Sequence, residues 1–162
     1  MSASNEVPFT QWAAVHATEK FIAVNPLSGY RRRLPEDELH IIYLEPDSND
    51  TTLGQVLLDT LDRSRFIHPH TDRAFFQTDR VLAAYKRWET DFMERYRYKT
   101  RRDAYKNMRY CIAERCEGKI SITPHKRETK PGYEVLEFAC WEGERDLAHY
   151  TKEDGGPKGK TK

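Results

Sequence analysis

Apolar positions in this chain recur at two spacings, and those spacings predict its elements. From Thr78 on, Val81, Leu82, Tyr85, Trp88, Phe92, Met93 and Tyr96 follow at intervals that keep them on one side of a helix. Lys86, Arg87, Glu89, Asp91, Glu94 and Arg95 take the other side. Thr78–Tyr96 is therefore expected to be the longest helix, with Thr78 as its N-cap. Thr100 and Asp103, three apart, suit a capping box for a short second helix. Alternation takes over in Arg109–Glu114 and again in Lys119–Thr123, with Glu117-Gly118 between them as a hairpin turn.

In the first half, Phe21–Asn25 reads as a strand stopped by Pro26, which lacks the N–H that a ladder needs. Leu39–Leu44 is almost continuously apolar and is expected to be a central strand. Thr51 or Thr52 should cap a helix that buries Leu53, Val56, Leu57, Leu58 and Leu61 and ends near Ser64. Phe9–Val15 reads as a short segment whose Trp12 anchors the chain end onto the core. The expected core is Ile22, Val24, Ile42, Leu57, Leu61, Leu82, Tyr85, Trp88, Phe92, Ile120 and Ile122.

These elements make an α+β fold, a small mixed or antiparallel sheet with one long central helix. Ile22, Val24 and Pro26 recur as Ile120, Ile122 and Pro124, each 98 positions on, and Gly29-Tyr30 recurs as Gly132-Tyr133. The echo allows two similar strand-turn-strand-helix halves. A further strand is expected at Val135–Cys140, with Trp141 buried beside it and a weak helix over Glu142–Tyr150. At 162 residues the chain suits a single domain over 1–150, followed by a disordered basic tail, Thr151–Lys162.

Composition narrows the class. No apolar run approaches the roughly 20 residues that span a bilayer. The first residues lack a basic stretch followed by an apolar one, and an odd count of three cysteines argues against a disulfide framework, so a cytoplasmic protein is expected. The net charge of +1 conceals a division. Leu34–Asp62 holds eight acids and no Lys or Arg, whereas Arg63–Arg109 holds thirteen Lys or Arg against six acids. Either the two regions attract each other or stay solvated, or one of them docks a partner of opposite charge.

Chemistry-bearing motifs are weak. No Gly-rich phosphate loop or Gly-x-Ser-x-Gly elbow occurs. Cys111, Cys116 and Cys140, with His125, lack zinc-site spacing and read as small core residues. His68-Pro69-His70 with Asp72 could face one metal, but reads more simply as a loop containing two histidines. Arg31-Arg32-Arg33 could grip phosphate, although neighbours on an extended segment point to opposite faces. Tyr96–Lys106 interleaves basic and aromatic residues, as a nucleic-acid-binding module does; alternatively its tyrosines pack inward and its cations stay wet. No catalytic residue, cofactor or metal is expected.

Arg97–Met108, read together with Glu117–His125, resembles the hallmark of a family of bacterial contact-dependent growth inhibition (CDI) immunity proteins of about 160 residues. Phe21–Leu34 and Leu53–Arg63 are similar to that family as well, whereas Gly143–Lys162 departs from its pattern. The resemblance implies a non-catalytic cytoplasmic protein that binds the C-terminal toxin domain delivered by a neighbouring cell. Direct nucleic-acid or membrane binding is not implied. If the toxin is a nuclease, its cleft must be basic to hold phosphates. The acids Glu36, Asp37 and Glu38, with Asp59 and Asp62 as secondary contacts, are then the expected docking residues.

Overall fold

A computed structural model of the chain describes residues 6–38 and 40–125. Its strands are β1 (Thr10–Ala17), β2 (Ile22–Gly29), β3 (Arg33–Pro35), β4 (Ile42–Leu44), β5 (Arg109–Cys116) and β6 (Lys119–His125). Helices α1 (Asp50–Arg63), α2 (Thr78–Arg95) and α3 (Arg101–Tyr105) lie between β4 and β5, with a 3-10 turn at Ala74–Phe76. The strands form one antiparallel sheet in the order β3-β2-β1-β5-β6, and β4 pairs with the other half of β2's outer edge. The expected α+β class holds.

Two hairpins flank the middle of this sheet. β1 pairs with β2 on one side and with β5 on the other, and β5 carries β6. Directly paired residues share a face. Trp12, Ala14 and His16 therefore lie with Leu27, Ala23, Ile112 and Tyr110, and α2 covers this face through Trp88, whose ring is 4.6 Å from His16. Ala13, Val24 and Ala113 lie on the other face, where Leu61 and Leu57 of α1 pack on the two alanines.

The largest described core cluster joins Phe21, Ala23, Trp88, Phe92, Ala104 and Tyr105. It brings β2, α2 and α3 together, with Phe92 fully buried. Around it Tyr43, Tyr96 and Tyr98 pack their rings, and Tyr105 donates its hydroxyl to Glu89 at 2.7 Å.

Several expectations change. Trp12 is buried in the core as expected, but the segment that carries it is the middle strand of the sheet, β1. Its sequence, Thr-Gln-Trp-Ala-Ala-Val-His-Ala, is poor in large aliphatics because small residues let helices approach both faces. The expected central strand Leu39–Leu44 contracts to Ile42–Leu44, half-buried and, among the described residues, paired with β2 alone; Leu39 lies outside the described residues.

β2 runs through Pro26, because its outer edge passes from β4 to β3 at that point and the proline falls between two ladders. Gln77, whose side chain makes no capping hydrogen bond, is the N-cap of α2, and Thr78 is its first residue. Asn49 caps α1, accepting from the Thr52 N–H, two and three residues before the threonines expected to do so. Leu58 is exposed, and Ile120 and Ile122 are 42% and 58% exposed, so none of these three joins the core. Val135–Cys140, Trp141, Glu142–Tyr150 and the 151–162 tail lie outside the described residues.

α3 and the second hairpin stand where expected, with the Thr100 half of the capping box made. Thr100 accepts from the Asp103 N–H, and its hydroxyl donates to Asp103 Oδ2 at 2.7 Å. Glu117 and Gly118, both at positive φ, form the two-residue turn between β5 and β6.

Candidate functional site

The acidic third of the sequence folds back on the basic third. Glu36, just past β3, accepts two hydrogen bonds from the guanidinium of Arg65, at 2.7 and 2.5 Å. Burial opposes ionisation of Glu36. The hydrogen bonds from Arg65 and Ser28 outweigh it, so the carboxyl titrates below its ordinary range. Asp37 pairs with Arg80 at 2.9 Å and lies 3.7 Å from Arg87, both on α2. Tyr43 donates to Asp91 at 2.7 Å, and its phenol is pushed up by burial and by that carboxylate.

The expected docking residues therefore divide. Glu36, Asp37 and Asp62 hold arginines of this same chain, Asp62 taking Arg115 at 2.5 Å. Asp59 accepts from Gln55 one helical turn earlier. Glu38, with its side chain 86% exposed, faces His40 at 3.4 Å.

A second cluster forms where two weak motifs meet. Gly29 has φ +151, and a Cβ there would sit 1.8 Å from the Arg32 carbonyl oxygen, so only glycine closes this turn. The segment after α1 is laced to it. The Gly29 N–H donates to Arg65 O, the Ile67 N–H to Gly29 O, and Ser64 Oγ to Leu27 O. This lacing sets His68 against Tyr30, ring centroids 4.6 Å apart, and His70 stacks on His68 at 5.0 Å.

The result is a cavity of about 370 Å³ lined by Tyr30, Arg31, Arg32, His68, His70 and Phe76, with Pro69 between the histidines. The His70 N–H donates to His68 Nδ1, so a neutral His68 keeps its proton on Nε2. Asp72 is spent elsewhere: it accepts from the Phe75 N–H at the start of the 3-10 turn. Among the described residues no group of three or more His, Cys, Asp or Glu side chains is placed to hold a metal ion.

The tyrosines of Tyr96–Lys106 pack inward. Tyr96 stacks on Phe21, Tyr98 shares a hydrogen bond with Thr18, and Tyr105 is buried; Arg97, Lys99, Arg101, Arg102 and Lys106 are exposed. Cys111 and Cys116 are thiols without a disulfide on opposite faces of β5, and burial pushes the Cys111 thiol up. Cys140 lies outside the described residues. Sequence reasoning missed His16, buried and stacked on Tyr110 and against Trp88; a lone histidine among alanines carries no periodic signal.

Three comparisons bear on this arrangement. Residues 11–145 match the family model described as CDI immunity protein. Over 137 residues the chain is 32% identical to the immunity protein CdiI-YPIII of Yersinia pseudotuberculosis serotype O:3 (strain YPIII), covering 76% of this chain and 77% of that protein. Among solved structures it is similar to a CdiA-CT/CdiI toxin and immunity complex from Yersinia pseudotuberculosis. That likeness has a TM-score of 0.70 and 30% identity, over 75% of this chain and 76% of the other. A protein of unknown function from Neisseria meningitidis is similar at a TM-score of 0.69 and 27% identity, with 78% of each chain covered.

Proposed function

The chain belongs to the CDI immunity protein family, and on that premise we propose that it binds and neutralises the toxin C-terminal domain of its own CDI system. The observation that carries this reading is the likeness, over three quarters of the chain, to the immunity fold in a toxin–immunity complex. Inhibition is stoichiometric and needs no chemistry from the chain itself. Its place of action is the cytoplasm, where a delivered toxin meets its target. No helix among the described residues is long and apolar enough to cross a membrane.

The toxin is a nuclease on this reading, and exposed acids of this chain meet its phosphate-binding cleft. Glu38 and Asp59 lead the contact because both are exposed, while Glu36, Asp37 and Asp62 are oriented by the arginines they hold.

Two measurements test the proposal. Purified chain and toxin domain should elute as a one-to-one complex, and expressing the chain should restore growth to cells making the toxin. Absence of both overturns it. Glu38→Lys with Asp59→Lys should slow association about tenfold at low salt, an effect that fades as salt rises, because exposed charges steer encounter. An association rate unchanged at every ionic strength moves the interface elsewhere.

A further inference from the structure

We propose that the cleft between the Gly29–Arg33 turn and the His68–His70 segment is an anion site for a small phosphorylated ring compound, of the size and chemistry of a nucleoside monophosphate. The two halves of the cleft are far apart in sequence and are fixed by backbone hydrogen bonds across Gly29, Arg65 and Ile67. The site is therefore formed before anything binds. Arg31, exposed at the cleft, supplies a planar guanidinium group that suits phosphate oxygens, and a neutral His68 offers its Nε2–H as a further donor.

The walls distinguish this ligand from a plain anion. Tyr30, His68, His70 and Phe76 bring four flat rings to a cavity of about 370 Å³. A carboxylate side chain of a protein partner uses the guanidinium group and leaves the rings idle. A phosphorylated ring compound uses both, stacking its ring while Arg31 holds its phosphate. The volume lies toward the lower end of the ~300–1,000 Å³ common for small-molecule sites, which fits a mononucleotide better than a dinucleotide.

The test is a titration of the full chain with adenosine 5′-monophosphate, inorganic phosphate, adenosine and a short glutamate-rich peptide, followed by amide NMR shifts. The expected result is saturable movement of the Gly29–Arg32 and His68–His70 signals with the monophosphate, weaker binding of phosphate, and weaker binding still of adenosine. Arg31→Gln with His70→Ala should weaken monophosphate binding by about tenfold or more, the scale of losing a charge-assisted contact and a stacked ring. Both side chains are exposed, so this variant keeps the fold, and Lys99→Gln on an unrelated surface should bind like the parent. The proposal is overturned if the monophosphate moves none of these signals, if the double variant binds it undiminished, or if the acidic peptide alone binds there. None of these outcomes depends on whether the toxin is bound.

Discussion

β2 and β6 occupy matching places and meet opposite fates. Each is the second strand of a hairpin flanking the β1·β5 pair, and each carries the same Ile-x-Val/Ile-x-Pro spacing. The pairings Val24↔Val15↔Cys111↔Pro124 and Pro26↔Ala13↔Ala113↔Ile122 put both apolar sets on the face that α1 covers. Yet Val24 is fully buried and Ile22 nearly so, while Ile120 and Ile122 stand open. The difference is in the cover. α1 packs over β2, β1 and β5, and β4 and β3 close β2's outer edge. Period-2 alternation locates a strand, but the neighbouring elements decide whether its apolar face is buried.

Removing the cover should therefore produce the largest effect. Leu61 is fully buried and touches Ala13 and Ala113, one alanine from each hairpin. Leu61→Ala should cost about 2–5 kcal/mol in denaturant melts, as large-to-small core changes do. A loss under about 1 kcal/mol would mean that α1 does not hold the buried half together.

How much of this was legible follows from the same contrast. Elements with strong periodicity (α1, α2, β5, β6 and the hairpin turn) appear close to where the apolar spacing puts them, because their own residues decide them. β1 hid because its neighbours supply the bulk and it supplies alanines. Leu39–Leu44 misled because an apolar run marks burial only where something covers both faces. The candidate clusters were legible as motifs but not as sites. Arg31-Arg32 and His68-Pro69-His70 meet through a glycine turn and backbone hydrogen bonds that no side-chain pattern encodes.

His16 sits where the two hairpins meet α2, between Trp88 and Tyr110, and burial lowers its pKa from 6.5 to about 3. The unfolded chain then takes up the proton first. The contribution is complete above pH 6.5 and declines as pH falls toward 3, by up to ~1.4 kcal/mol per unit. At pH 5 the loss should be about 2 kcal/mol relative to pH 7. His16→Phe should flatten that part of the stability profile in urea melts at several pH values. An unchanged slope would move the acid sensitivity to another group.

Charge repeats the contrast on a smaller scale. Beside the buried strand, Glu36 is held by Arg65 and its carboxyl titrates low, so its contribution is present above the ordinary carboxylate range and lost as pH falls through the folded value. Arg65 is more than half exposed, and solvent screens the pair. Glu36→Gln should cost about 1 kcal/mol at pH 7 and nothing once both states are protonated. Equal effects at pH 7 and pH 2 would assign the loss to packing.

The smallest expected effect is the sharpest test of the comparison. Ile122→Thr keeps the branch at Cβ, so strand preference and χ1 restriction are nearly preserved and burial is the main thing that changes. With Ile122 58% exposed, the substitution should alter stability by less than about 0.5 kcal/mol. Val24→Thr makes the same kind of change on the matching strand, where the side chain is fully buried. There the hydroxyl must enter an apolar layer beneath α1, at a cost of about 1–3 kcal/mol. The two melts, run side by side, should differ by well over the error of the method. If Ile122→Thr proves as costly as Val24→Thr, β6 is covered in solution as β2 is, and the two hairpins are equivalent in packing as well as in pattern.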